Sequence, residues 1–275
     1  MLKKQLFCVG ISVCMFAAEI QGTCAYLDRA NDGATLFRQL SIVLGLLNRY
    51  EMGDYTGVTV DFGTTGKYYS RFLGENWWQY YFKKIEVGDT LEDRQRIKTF
   101  ENNALSCSLF QLDAQRAHEL IQKYIVVQPL IAEKVSTFQA EQFKNSFVIG
   151  VEYVKNDASA YSAYSTPKIP YKQIYEILLI HLLENPTMKI FVHTDDPRFY
   201  TFLKVKHPDN VVQYRTKTHF EMPADEAESE LINCLLLAQV DMLLCTPSLL
   251  SLTVAQFNPS LPMIQFGELA ATKAD

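Results

Sequence analysis

The second half of the chain alternates short apolar runs with helical segments, and this restricts the fold more than any other feature of the sequence. Phe147-Val148-Ile149-Gly150-Val151 is continuously apolar, as expected of a strand buried on both faces. Ile174 to Leu183 then reads as a helix and Lys189 to His193 as a strand. Asp196-Pro197 opens a further helix through Leu203, with proline at an early helical position. Asn210 to Tyr214 (strand), Glu226 to Gln239 (helix) and Asp241 to Cys245 (strand) continue the series. A helix after Thr246-Pro247-Ser248 runs through Phe257, and a last strand lies near Met263 to Phe266. Such alternation builds a largely parallel sheet with helices on both faces.

The first half reads differently. Lys3 and Lys4 precede an apolar run from Leu6 to Ala18, and Thr23-Cys24-Ala25 offers small residues for cleavage. The pattern is that of a secretory signal over residues 1–25, too short for a membrane span; a buried first strand or helix is the competing interpretation. Removing it leaves no membrane-spanning segment. Leu36, Phe37, Leu40, Val43, Leu44 and Leu47 recur at helical spacing behind Asn31-Asp32-Gly33-Ala34, a loop entering a helix. Gly57 to Gly63 is a short β-rich run, and Gly74 to Phe82 is an aromatic loop. Residues 90–105 are charged and lack an apolar stripe, Asp113 caps a helix to Tyr124, and a second helix runs from Pro129 to Phe143. The change of character near Asn145 divides the chain into an N-terminal lobe, 26–145, and a C-terminal lobe, 146–275.

Net charge is 26 − 31 = −5, which argues against a general nucleic-acid binder. Of six cysteines, Cys8, Cys14 and Cys24 fall in or beside the signal segment. Cys107, Cys234 and Cys245 are too dispersed for a disulfide scaffold or a zinc pattern, although a single bridge stays open. No HExxH, P-loop or GxSxG motif is present, and no metal or cofactor is expected.

In an open parallel sheet, ligands bind beyond the carboxyl ends of the strands. Three strand ends here carry polar groups: Glu152 to Asp157, Thr194-Asp195-Asp196, and Thr246 to Ser251. Each has a plainer use. Thr194, Asp195 and Asp196 can cap the following helix, and Ser248 and Ser251 can either cap theirs or hold a diphosphate beside free backbone N–H groups. His193 reads equally as a satisfied core histidine. Trp77, Trp78, Tyr80 and Tyr81 suit packing between lobes better than stacking on a sugar.

The chain resembles the GDP-fucose-dependent fucosyltransferases of GT-B fold, a family that spans core α1,6-fucosyltransferases, rhizobial chitin-oligosaccharide enzymes and protein O-fucosyltransferase relatives. The likeness is carried, in order, by Asn31-Asp32-Gly33, Asn76-Trp77-Trp78-Gln79-Tyr80-Tyr81-Phe82, Ile149-Gly150-Val151-Glu152, Ile169-Pro170-Tyr171, Ile190 to Asp196, and Cys245 to Ser251. It implies an α/β molecule of two Rossmann-like lobes, with the C-terminal lobe holding a nucleotide sugar. It also implies inverting transfer of fucose or a related sugar from a GDP-sugar to a glycan or protein acceptor, without a metal. On that basis Glu152 and Asp157 are the candidate bases. Asn31, Asp32, Gly33, Lys155, Thr194, Asp195, Asp196, Ser248 and Ser251 are the candidate donor contacts. The family's His-x-Arg-x-x-Asp motif falls on Glu152, Val154 and Asp157, so only the aspartate is kept. Val154 cannot bind a phosphate, and Lys155 lacks the arginine's bidentate fork. A non-catalytic member of the same fold, binding a glycan or nucleotide, is the alternative.

Overall fold

The computed structural model describes residues 23–28, 35–64, 66–89, 96–99, 112–154, 169–215 and 223–266. Two sheets organise them. The first, in the N-terminal lobe, has strand order β3-β2-β1-β4, built from β1 (Thr23–Asp28), β2 (Gly57–Asp61), β3 (Glu86–Gly88) and β4 (Arg96–Thr99). β1 pairs in parallel with both β2 and β4, and β3 closes the edge antiparallel to β2.

The signal pattern drawn over residues 1–25 overlaps the first of these strands. Thr23, Cys24 and Ala25 form the first half of a central strand, in register with Gly57 and Val58 on one side and Arg96 to Lys98 on the other. Neither β1 nor β4 was legible in the sequence. β1 was absorbed into the cleavage pattern, and β4 lies in the charged 90–105 stretch that has no apolar alternation.

Between β1 and β2 runs α1 (Leu36–Glu51), whose Thr35 side chain caps the Arg38 N–H. Its residues Leu36 to Leu47 are buried almost without interruption apart from Arg38. A 3₁₀ turn at Trp77–Tyr80 is fixed by Asn76, whose side chain accepts from the Phe62 and Trp78 N–H groups and donates to the Val60 carbonyl. Trp77 and Trp78 are fully buried, with Trp77 stacked on Phe62 at 4.5 Å. α2 (Ala114–Tyr124) starts at the Asp113 cap, which accepts from the Arg116 N–H at 2.7 Å. α3 (Pro129–Gln142) leads into the turn at Asn145, a left-handed residue at φ 56°.

The second sheet is wholly parallel, in the order β7-β6-β5-β8-β9. Its elements alternate as β5 (Val148–Tyr153), α4 (Tyr171–Glu184), β6 (Lys189–Thr194), α5 (Pro197–Lys206), β7 (Val211–Val212), α6 (Pro223–Leu237), β8 (Met242–Cys245), α7 (Leu249–Phe257) and β9 (Met263–Gln265). This is the doubly wound arrangement expected of the alternating pattern. The burial of β5 separates its two faces. Ile149, Val151 and Tyr153 join the core under α4 and α5, while Val148 joins the core with α6, α7 and the N-terminal lobe. Gly150 faces that second side, where an added Cβ would lie 3.0–3.1 Å from Leu237, Leu243 and Val240.

The lobes share this second core. Residues of α1, β2, α2 and α3 form one buried cluster with α6, β8 and α7. Polar bridges cross the same seam. The Tyr81 hydroxyl donates to the Ala224 carbonyl at 3.0 Å, Lys67 pairs with Glu226 at 3.4 Å, and Lys134 pairs with Glu228. The aromatic loop thus packs within and between lobes, as its composition suggested.

Candidate functional site

The strand order reverses between β5 and β8. From β5 the chain winds outward through β6 to β7, and α6 then carries it back across to β8. A crevice opens at the carboxyl ends of strands at such a switch point. Glu152, near the end of β5, stands there in register with His193 on β6 and Cys245 on β8. Its side chain is fully buried. Ser248 Oγ donates to one carboxylate oxygen at 2.8 Å, and Thr246 Oγ1 donates to the other at 3.1 Å. Thr246 Oγ1 also accepts from the Val154 N–H at 3.3 Å, and the Thr246 N–H donates to the Glu152 carbonyl at 3.0 Å.

Ser248 is at the same time the N-cap of α7. Its hydroxyl accepts from the Ser251 N–H at 2.9 Å, and Ser251 Oγ accepts from the Ser248 N–H at 3.0 Å, closing a reciprocal capping box. Both serines are buried, Ser248 at 8% exposure and Ser251 at 3%. In this arrangement their hydroxyls are committed to the helix start and to Glu152. Among the described residues the Glu152 carboxyl is likewise enclosed and held by two hydroxyls, a structural use of the side chain rather than the open position a base would take. It anchors the Thr246–Ser248 turn instead.

The Thr194-Asp195-Asp196 turn lies beyond β6, two strands from β8 and so roughly 10 Å across the sheet end. Asp196 is the N-cap of α5, accepting from the Arg198 N–H at 3.0 Å, and it also accepts from the Tyr171 hydroxyl. That bond, with burial, raises the Tyr171 pKa to about 12. Thr194 Oγ1 accepts from the Asp196 N–H at 3.0 Å. Thr194 and Asp196 are thus used in capping on the α4–α5 side, and Asp195 is the exposed member. His193 faces the other way, toward α6. Burial holds its pKa down at about 4, against the opposing influence of Asp195 and Asn233. Asn31, Asp32, Gly33, Lys155 and Asp157 lie outside the described residues.

Sequence reasoning passed over Thr246 as a partner of Glu152, although its place one residue past β8 was visible. It also passed over Glu230 on α6. Burial, aided by Glu226 and opposed by Lys67, raises the Glu230 carboxyl to about 7. On a helix rich in charge, an inward-facing glutamate has the same sequence signature as a solvated one. Among the described residues no cluster of three or more His, Cys, Asp or Glu side chains is placed to hold a metal ion. Cys234 and Cys245 are both buried, and neither is in a disulfide.

No family model matches the chain, and no curated protein sequence does. Solved structures do. The fucosyltransferase NodZ from Bradyrhizobium superposes with a TM-score of 0.60 at 14% identity, over 88% of this chain and 94% of that one. POFUT1 in complex with GDP gives 0.55 at 12% identity, over 90% and 98%. Arabidopsis thaliana FUT1 in complex with GDP gives 0.51 at 12%, over 89% and 71%. The fold is the GT-B fucosyltransferase fold. At 88–90% of the chain, the match spans both lobes. NodZ α-1,6-fucosyltransferase has also been soaked with GDP-fucose, at a TM-score of 0.59 to this chain.

Proposed function

We propose that the chain is a glycosyltransferase that transfers fucose or a related sugar, with inversion, from a GDP-sugar to a glycan or protein acceptor, and that it uses no resident cofactor. One observation carries this reading: a GT-B fold matched over nearly nine-tenths of the chain by proteins that hold GDP. The switch point supports it, because the carboxyl ends of β5, β6 and β8 bring the polar turns to one end of the sheet. The Asn31–Gly33 loop precedes α1, whose N-terminus favours a diphosphate electrostatically. Lys155 supplies the nearest cation in sequence where the family's arginine is replaced by Val154. With Glu152 enclosed, Asp157 is the base. Export follows from the charged and apolar N-terminal pattern, with the cleavage point upstream of Thr23.

Calorimetric titration with GDP and with GDP-fucose, followed by donor hydrolysis and transfer assays, tests the proposal. Binding and turnover of a GDP-sugar are expected. Absence of both would overturn it. GDP binding without turnover of any GDP-sugar would turn the reading to a non-catalytic binding member, which the replacement of the arginine by Val154 would then explain.

A further inference from the structure

A hydroxyl carries one proton, so the place where that proton goes decides what a turn can bind. At the turn between β8 and α7 the hydroxyl protons of Thr246, Ser248 and Ser251 are all used within the chain. Ser248 gives its proton to one Glu152 oxygen at 2.8 Å, with Ser251 Oγ farther away at 3.4 Å. Thr246 gives its own to the other Glu152 oxygen at 3.1 Å, and Ser251 donates to the Ser248 carbonyl at 3.0 Å. The Ser248 and Ser251 N–H groups are taken by the two serine side chains. The Val154 N–H goes to Thr246 Oγ1. Glu152 is fully buried, and Thr246 and Ser248 are nearly so.

The oxygens of a diphosphate accept hydrogen bonds, and they are held by hydroxyls, N–H groups or cationic side chains. At this strand end the carboxyl of Glu152 already stands in that role. Its main chain fixes it there, because the Thr246 N–H donates to the Glu152 carbonyl at 3.0 Å.

We infer that Glu152 determines specificity at this end of the sheet: it takes the protons that Thr246 and Ser248 could give to a phosphate, and so withholds the turn between β8 and α7 from the diphosphate of a donor. The inference rests on the GDP-sugar reading. Under it the diphosphate is held by groups other than this turn.

Glu152→Gln tests it with little change of shape. The amide keeps one accepting oxygen and puts a donor in place of the other, which releases one of the two hydroxyls. Calorimetry compares GDP with guanosine, and the ratio of the two affinities isolates the diphosphate. In the wild-type background Ser248→Ala and Thr246→Val are expected to leave that ratio unchanged. Glu152→Gln is expected to raise it by roughly tenfold, the size of a charge-assisted hydrogen bond gained. Adding Ser248→Ala or Thr246→Val to Glu152→Gln is then expected to remove most of the gain, through whichever hydroxyl was released. Melting curves confirm that each variant is folded, and Glu152→Ala, which releases both hydroxyls, serves if Glu152→Gln is not. A ratio that Glu152→Gln leaves unchanged would overturn the inference. So would a gain that neither hydroxyl substitution removes, or a wild-type ratio that falls with Ser248→Ala. In each of these cases GDP binding by the wild-type chain still upholds the donor reading. Failure of every form to bind GDP would remove both.

Discussion

Glu152 shows what one buried carboxylate demands of its neighbours. Its oxygens are matched by Ser248 and Thr246, whose hydroxyls would otherwise be enclosed as well. Removing one donor leaves a buried acceptor under-satisfied, a larger loss than that of an ordinary surface hydrogen bond. Thr246→Val is therefore expected to destabilise the fold by about 1–3 kcal/mol. Ser248→Ala should cost about 1 kcal/mol more, because it also deletes the cap of α7. Ser251→Ala removes half of the capping box without touching Glu152 and should be the mildest of the three. Urea unfolding gives the order directly, and a Ser251→Ala loss equal to that of Ser248→Ala would mean that the Glu152 bond contributes nothing.

His193 and Glu230 make opposed residue-level demands on pH. His193 titrates near 4 when folded and near its ordinary 6.5 when unfolded, so the unfolded chain binds more protons in that window. Stability from this group is complete above pH 6.5 and declines as pH falls toward 4. Glu230 titrates near 7 when folded and near 4.5 when unfolded, so its contribution declines as pH rises from 4.5 to 7. Each full shift is worth about 3 kcal/mol, and the two slopes nearly cancel between them. Glu230→Gln removes one slope. Its stability should rise by about 2–3 kcal/mol from pH 4 to 6.5, steeper than wild type over the same range. Equal slopes for variant and wild type in denaturant titrations would contradict this account of the two groups.

At the scale of elements, the C-terminal lobe was readable because a strand buried on both faces leaves a continuous apolar run, and its helices carry apolar residues at helical spacing. The Asp113 and Ser248 caps were legible for a related reason: their side chains do local work, within three residues. The pairing of Glu152 with Ser248 was not legible, since 96 residues separate the partners. The same limit hid the bond from the Tyr81 hydroxyl to the Ala224 carbonyl. Gly150 lies between these cases. A glycine inside a strand signals close approach without naming what approaches. The structure supplies the answer: the α6 side of the sheet, through Leu237, Val240 and Leu243. Gly150→Ala asks only that three side-chain tips yield slightly. Gly150→Val forces two further methyl groups into the same packed layer and should destabilise by about 1–3 kcal/mol. Guanidinium unfolding of both variants would check this, and equal stabilities would show that the layer between β5 and α6 has room to spare.

For the whole molecule, the decisive feature is that the two sheets do not stand on separate cores. α1 and α2 bury their apolar faces partly against α7, and α3 packs on α6, so each lobe completes the other's interior. The seam between the lobes is consequently a fixed part of the fold, bridged by Tyr81, Lys67 and Lys134. This interdependence bears on where the proposed export signal could be cut. β1 is the strand that joins β2 to β4, and Ala25 is fully buried. Cleavage after Ala25 would remove the Cys24–Gly57 and Ala25–Val58 pairs, together with three of the four residue pairs that attach β4. The strand would then hold β2 by three residues and β4 by one. If the proposed signal is processed, intact-mass measurement of the mature chain is therefore expected to place its N-terminus upstream of Thr23. A stable, folded product beginning at Tyr26 would mean that β4 does not depend on β1 for its place, and the order of the first sheet would have to be redrawn.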